Sequence, residues 1–187
     1  MPPKVKVIRE DIIAAALGLI REGGEENVNA RSIATALGCS TQPIFSNFST
    51  MEELLLEVRL FAHNTYLGFI KRELDEGKYP PYKAYGMAYI HFAREESQLF
   101  RLLFMCNRAG QESKPTEDFN TSIEMIMKAN GFSRSTAELM HLEMWSFVHG
   151  IGTMLATSYL LPDDELISSM LTDVYQGLRA RHIGGLE

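Results

Sequence analysis

Thr41, Gln42, Ser46 and Asn47 place four uncharged hydrogen-bonding side chains in one short stretch. In the major groove of duplex DNA a Gln amide can bond adenine N6 and N7, and a Thr methyl can meet a thymine methyl. Ser and Asn, one turn further on, can reach a phosphate or a base edge. Other constellations carry less. His141-Leu142-Glu143 has the His-x-Glu spacing of zinc deaminases, but no Pro-Cys-x-x-Cys follows. Glu138 and His141 match one half of a di-iron helix motif that needs a second copy and two more carboxylates, and one copy is present. There is no Gly-x-Ser-x-Gly, no phosphate-cradling Gly-rich loop and no His-Glu-x-x-His. No catalytic residue, metal site or cofactor is therefore expected. Cys39 and Cys106 are too few for a disulfide scaffold or a four-cysteine zinc site, and free thiols suit a reducing cytoplasm.

The elements around residues 41–47 decide whether such side chains can act together. Asn29 is a good N-cap for a short helix running to Leu37, with Ile33, Ala34 and Leu37 inward. Gly38-Cys39-Ser40 forms a three-residue turn, with Gly38 where a positive φ is needed. A third short helix runs from Thr41 to about Asn47, with Ile44 pointing to the core. This is a helix-turn-helix, whose second helix lies in a major groove. Pro43 is tolerated because the first helix amides have no internal partner. Since Pro43 has no amide, Ser40 is expected to cap the amide of Gln42. Thr50-Met51-Glu52-Glu53 reads as a capping box that opens a long fourth helix. A first helix, about Arg9 to Arg21, buries Ile8, Ile12, Ala16, Leu19 and Ile20 and stops at Gly23-Gly24.

Helical periodicity continues along the chain, so the fold class is all-α with about nine helices. Further helices run over Tyr82–Glu95, Ser97–Asn107 (capped by Ser97) and Thr116–Asn130. Ser133 then caps a long apolar helix reaching about Leu160. Pro162 occupies the first position of a last helix, followed by Asp163, Asp164 and Glu165. From Met144 to Pro162 there is no charge, but Ser, Thr, His, Gly and Pro interrupt the stretch, as in a buried helix rather than a membrane span. No signal peptide is expected, because acidic residues flank the apolar run at Ile12–Ile20.

Charge separates two regions. Residues 1–50 hold five Lys or Arg and five Asp or Glu, and the whole chain has a net charge of −6. An acidic body therefore follows a neutral head whose first nine residues carry Lys4, Lys6 and Arg9. That cluster is either a solubilising tail or an arm on DNA. The whole-chain charge does not advertise nucleic acid, so local geometry must carry the claim.

Residues 9–56 resemble the DNA-binding domain of the TetR family of bacterial repressors. The matching run is Val28-Asn29-Ala30-Arg31-Ser32-Ile33-Ala34, Leu37-Gly38-Cys39-Ser40, Ile44-Phe45, Phe48 and Glu52-Glu53-Leu54-Leu55. Met144-Trp145-Ser146-Phe147-Val148-His149-Gly150 is similar to a Trp…His-Gly signature of some effector domains in that family. The resemblance implies a cytoplasmic, ligand-responsive regulator, most simply a repressor that binds a palindromic operator as a homodimer. It places Thr41, Gln42, Pro43, Phe45 and Asn47 at DNA-contacting positions. Arg31, Ser40, Ser46, Thr50, Lys4 and Lys6 complete the candidate set. Two departures stand out. Phe45 replaces the usual Tyr and loses a phosphate-bonding hydroxyl, and Met51 replaces the usual Lys. Ionic contacts must then come mostly from Lys4, Lys6, Arg9 and Arg31, with the amides opening the fourth helix as an auxiliary anion site.

The expected division is a DNA-binding domain over 1–50 and an effector and dimerisation domain over 51–187. Tyr66, Phe69, Tyr89, Phe92, Phe104, Met105, Met144, Trp145 and His149 are candidates to line a pocket for a hydrophobic effector, or simply to fill a core. His149 is a satisfied core histidine, an effector contact or part of a seam. Ser146, Gly150, Thr153 and Thr157 make a small-residue stripe. With Met170 and Val174 it forms either a dimer seam or a close packing within one chain.

Overall fold

The computed structural model describes residues 7–107 and 117–184. The described residues form nine α-helices: α1 (Arg9–Gly23), α2 (Ala30–Ala36), α3 (Gln42–Asn47), α4 (Met51–Glu76), α5 (Pro81–Glu95), α6 (Ser97–Phe104), α7 (Glu117–Asn130), α8 (Arg134–Ala156) and α9 (Asp164–Gly184). A 3₁₀ turn, Glu25–Asn27, links α1 to α2. Among the described residues, packing gathers those up to Leu67 with Glu96–Cys106 in one compact unit, and Gly68–Glu95 with Asn107 and the residues from 117 on in a second. This partition by contact differs from a division at residue 50, because the first turns of α4 pack with the head.

In the first unit α1 packs on α2, α3 and α6. Its buried stripe is Ile12, Ala16, Leu17 and Ile20. Ile8, expected in that stripe, is 45% exposed because it sits one residue before the helix, where Asp11 accepts a hydrogen bond from its amide. Leu19 is only half-buried, with Leu17 taking the inward position. Ile33, Ile44, Phe48, Leu54 and Val58 complete the core.

In the second unit α8 packs on α5, α7 and α9. Ile123, Ile126, Ala137 and Met140 form one buried cluster under Tyr82, Phe119 and Tyr175. Glu73 is a buried carboxylate paired with His91, whose Nδ1 lies 2.7 Å from Glu73 Oε1. Asp164 opens α9 and bonds Arg94, while the Pro162 carbonyl accepts a second Arg94 bond at 2.9 Å.

Several boundaries differ from expectation, and α6 ends at Phe104 rather than Asn107. The N-cap of α6 is Glu96, without a side-chain cap bond, rather than Ser97. The last helix starts at Asp164, not at Pro162, because Asp163 Oδ1 accepts from the Leu166 amide at 2.8 Å and acts as the cap. α8 ends at Ala156 rather than near Leu160. Tyr159 donates its amide to the Met154 carbonyl at 2.9 Å, and Ser158 takes a left-handed conformation with φ of 56°. A β-carbon costs about 1–2 kcal/mol there. Ser158→Gly should therefore stabilise the protein by roughly 1 kcal/mol. Calorimetry should find a melting temperature higher by about 2–4 °C. A fall would mean that the serine hydroxyl outweighs the relief of strain.

Candidate nucleic-acid interface

The turn between α2 and α3 is built as the sequence requires. Asn29 Oδ1 accepts from the amides of Arg31 and Ser32, both at 3.0 Å, and Ser32 Oγ accepts from the Asn29 amide at 3.0 Å. Gly38 has φ of 62°, and the Cys39 amide reaches the Ala34 carbonyl at 2.9 Å to close α2. The chain then enters α3 with Thr41 in helical conformation at the N-cap, making no side-chain cap bond. The expected Ser40 cap on the Gln42 amide is therefore not formed. α3 begins one residue later than expected, and the Thr41 carbonyl takes the amides of Ile44 and Phe45. Ser40 is left exposed with no hydrogen bond among the described residues.

One buried side chain, Ile44, anchors α3 from within the helix, and Phe48 follows it into the core. That leaves the other face open. Gln42 and Ser46 are exposed, Thr41, Pro43 and Asn47 are half-buried, and Phe45 is 52% exposed. The Gln42 side-chain amide makes no hydrogen bond among the described residues, so all its donors and acceptors face outward unpaired. Ser46 and Asn47 differ. Ser46 Oγ donates to the Gln42 carbonyl at 2.9 Å, and Asn47 Nδ2 donates to the Pro43 carbonyl at 2.7 Å. Their donors are engaged along α3 and must turn outward before they can serve a phosphate.

The cations fall into two groups. Lys4 and Lys6 lie outside the described residues. Arg31 is exposed and forms no ion pair among the described residues. Arg9, expected to contact phosphate, is part-exposed and engaged by Glu53, Glu57 and the Asn47 carbonyl. Its guanidinium is held above its ordinary pKa by Glu57 and Glu53, and it holds both carboxyls below theirs, Glu53 with help from the Ser49 amide. The opening of α4 is likewise occupied. Thr50 Oγ1 accepts from the Glu53 amide at 3.1 Å, and Glu53 Oε2 accepts from the Ser49 amide at 2.7 Å, so the box reaches back to Ser49 rather than Thr50. The Glu52 carboxyl is also held below its usual range, by its own amide and by Thr50. These groups compete with any phosphate at that helix end.

Residues 12–58 match the family described as bacterial regulatory proteins, tetR family. Residues 82–174 match the tetracyclin repressor-like C-terminal domain. The chain belongs to the TetR family. It is a DNA-binding transcriptional regulator, not an enzyme. A TetR family protein from Vibrio parahaemolyticus has a similar fold, with a TM-score of 0.59 at 17% identity over 90% of this chain and 97% of that one. No curated protein matches by sequence.

The effector-pocket candidates of this TetR family regulator fall in both compact units. In the first, Tyr66 meets Phe104 edge-on at 5.4 Å, and Met105 is largely exposed. In the second, Phe69 meets Phe92 at 5.4 Å, and Met144 is buried. Tyr89 hydroxyl lies 2.8 Å from His149 Nδ1, and Trp145 stacks on the same imidazole at 5.0 Å while remaining 43% exposed. Burial lowers the His149 pKa, which favours neutral imidazole. His141 bonds the Tyr82 hydroxyl at 2.9 Å, and Glu143 pairs with Arg181 at 2.9 Å. Among the described residues no group of three or more His, Cys, Asp or Glu side chains could hold a metal. No described helix is long and apolar enough to cross a membrane.

The stripe on α8 faces outward. Ser146, Gly150 and Thr157 are exposed and Thr153 is half-buried, with exposed Leu139 and Leu142 extending the row. Met170 and Val174 on α9 are half-buried. A β-carbon at Gly150 would meet nothing within 4 Å, so this chain does not itself require a glycine there.

With Arg9 engaged internally and Arg21 paired with Glu96, Arg31 is the exposed cation of the described head that forms no ion pair among the described residues. Arg31→Ala in both heads of a dimer should flatten the salt dependence of DNA binding by about 2 log units per log unit of salt, at ~0.9 per phosphate. Fluorescence anisotropy between 50 and 300 mM salt, roughly the range where such slopes are read, would measure it. An unchanged slope would place the phosphate contacts elsewhere.

Proposed function

We infer that this regulator is a cytoplasmic repressor that binds a palindromic operator as a homodimer. Residues 1–50 read DNA, and residues 51–187 dimerise and bind a small, largely hydrophobic effector that releases the complex. The observation that carries the reading is the face of α3: exposed Gln42 with an unpaired amide, beside Thr41 and exposed Phe45, on a helix anchored by buried Ile44. A Gln amide can bond adenine bidentately, and Thr and Phe can meet thymine methyls. Arg31, Ser40, Thr50, Lys4 and Lys6 contact the backbone, and Pro43, Ser46 and Asn47 complete the contact surface. Support for the dimer comes from the outward stripe Ser146, Gly150, Thr153 and Thr157 with Met170 and Val174. A two-fold pair of heads matches half-sites one helical turn apart, about 34–36 Å.

Aromatic and methionine side chains at Tyr66, Phe69, Tyr89, Phe92, Phe104, Met105, Met144, Trp145 and His149 suit an apolar ligand. An effector that prefers the non-binding arrangement shifts the population, and coupling of about 1–3 kcal/mol changes operator affinity roughly 5–150-fold. The test is selection of duplexes from a randomised library by the purified protein, then a thermal-shift screen of apolar metabolites against the protein. An enriched inverted repeat and a stabilising compound that releases it support the reading. Enrichment of no duplex, or a compound that stabilises the protein and tightens DNA binding, contradicts it.

A further inference from the structure

The head contains an ion cluster that no reading residue accounts for. Arg9, the first residue of α1, donates from Nε to Glu57 at 3.0 and 3.2 Å. One terminal nitrogen bonds Glu53 at 2.8 Å and also Glu57, and the other bonds the main-chain carbonyl of Asn47. The guanidinium lies 4.0 Å above the Phe48 ring. Asn47 is the last residue of α3, and its carbonyl is one of those that a helix end leaves unpaired. A single side chain thus joins the start of α1, the end of α3 and the first two turns of α4.

We propose that Arg9 is a positioning residue of the reading head: it sets how α3 lies against α4, and so which duplex sequence the tip fits, without itself touching DNA. The proposal rests on the DNA-reading role inferred above. Three observations carry it. α3 has six residues, with Ile44 buried within it and Phe48 buried directly after it, so apolar packing holds one side of a short helix. The Arg9 bond to the Asn47 carbonyl adds a directional polar tie at its last residue. Next, the planar fork is matched to its partners. One guanidinium serves two carboxylates and a carbonyl while lying over an aromatic ring, a set of fixed donor directions that an ammonium does not reproduce. Last, Arg9 with Glu53 and Glu57 carries a formal charge of −1, so the cluster as built repels phosphate rather than gripping it. Its side chain is 35% exposed, and ion pairs at such sites contribute little to global stability. Geometry is the better account of the arrangement.

The test uses the full chain and, as probe, the duplex that the wild-type protein enriches from a randomised library, with a scrambled duplex as reference. Binding is followed across a salt series for R9M, R9K, E57Q and the R9M/E57Q double variant. R9M and E57Q should each lower the ratio of specific to scrambled affinity by tenfold or more, with the salt slope of R9M kept within one unit. R9K should fall at least fivefold, and the double variant should be no worse than the worse single one. A phosphate contact predicts the reverse. R9M would then weaken both duplexes alike and flatten the slope by about 2 for two heads, R9K would hold, and E57Q would tighten both duplexes with the ratio intact. That result overturns the proposal, as does a lowered melting temperature with an unchanged ratio. Should R9M fail to fold, R9K and E57Q decide alone. If the wild-type chain enriches no duplex, the DNA-reading role fails and the inference with it. If it does and all variants keep its ratio, the inference alone is lost.

Discussion

Gln42→Ala should abolish most of the protein's ability to distinguish its operator from other duplexes while leaving the fold intact. The side chain is exposed at the first position of α3 and makes no hydrogen bond among the described residues, so truncation breaks nothing in the free protein. Each bidentate contact to a base is worth about 1–3 kcal/mol of discrimination. In the proposed dimer two heads double that. Even the lower bound, about 2 kcal/mol in total, is a loss of roughly 30-fold in specific over scrambled affinity. Binding to scrambled duplex should hardly change, because that term comes from phosphate contacts. Anisotropy titrations with both duplexes measure the ratio. A variant that keeps the wild-type ratio would move the readout to Thr41 or Phe45.

In the homodimer proposed above, Gly150→Leu should convert dimer to monomer and, with it, remove high-affinity operator binding. Gly150 is exposed on α8, and a β-carbon there meets open space. Within one chain the change should be mildly favourable, since glycine inside a helix is less stable than leucine by roughly 0.5–1 kcal/mol. Across a close helix pair the same side chain occupies volume that the partner needs, and overpacking costs about 1–3 kcal/mol at each site. Two symmetry-related copies of the substitution meet at one two-fold interface. The monomer is stabilised and the assembly weakened, which separates an interface effect from a folding defect. Light scattering on the eluting peak, beside the melting temperature, reads both. Loss of binding to a full palindrome by 100-fold or more should follow, on the order of the coupling between two heads. A variant that stays dimeric would place the seam on another face.

Local signals in the sequence translated well into structure where the partners are close along the chain. The Asn29 cap, the positive φ of Gly38 and the Thr50 bond to the Glu53 amide all lie within a few residues of their partners. Spacing alone determines such contacts. The differences have two causes, partners distant along the chain and local backbone conformations that the residue type does not announce. Arg9 beside Lys4 and Lys6 reads as one basic cluster, yet its partners sit 38 to 48 residues away and appear only once α1, α3 and α4 have packed. Ser40 stands before α3 where a cap is expected, but the helical conformation of Thr41 places the helix start beyond its reach. The end of α8 carries no clear mark in the sequence, because Tyr159, Leu160 and Leu161 continue the apolar pattern. A left-handed Ser158 ends the helix, and a non-glycine residue gives little warning of that conformation. The buried pair of Glu73 and His91 joins α4 to α5 and has no signature in either segment alone.

The central claim is that the tip of α3 enters a major groove, once in each of two half-sites. Methylation protection on the duplex enriched by the wild-type protein tests it directly, because dimethyl sulfate attacks guanine N7 in the major groove and adenine N3 in the minor groove. The account predicts protected guanine N7 positions in two patches about 10 base pairs apart, with adenine N3 between them still reactive. A single patch, protection confined to adenine N3, or no protection at saturating protein would contradict it.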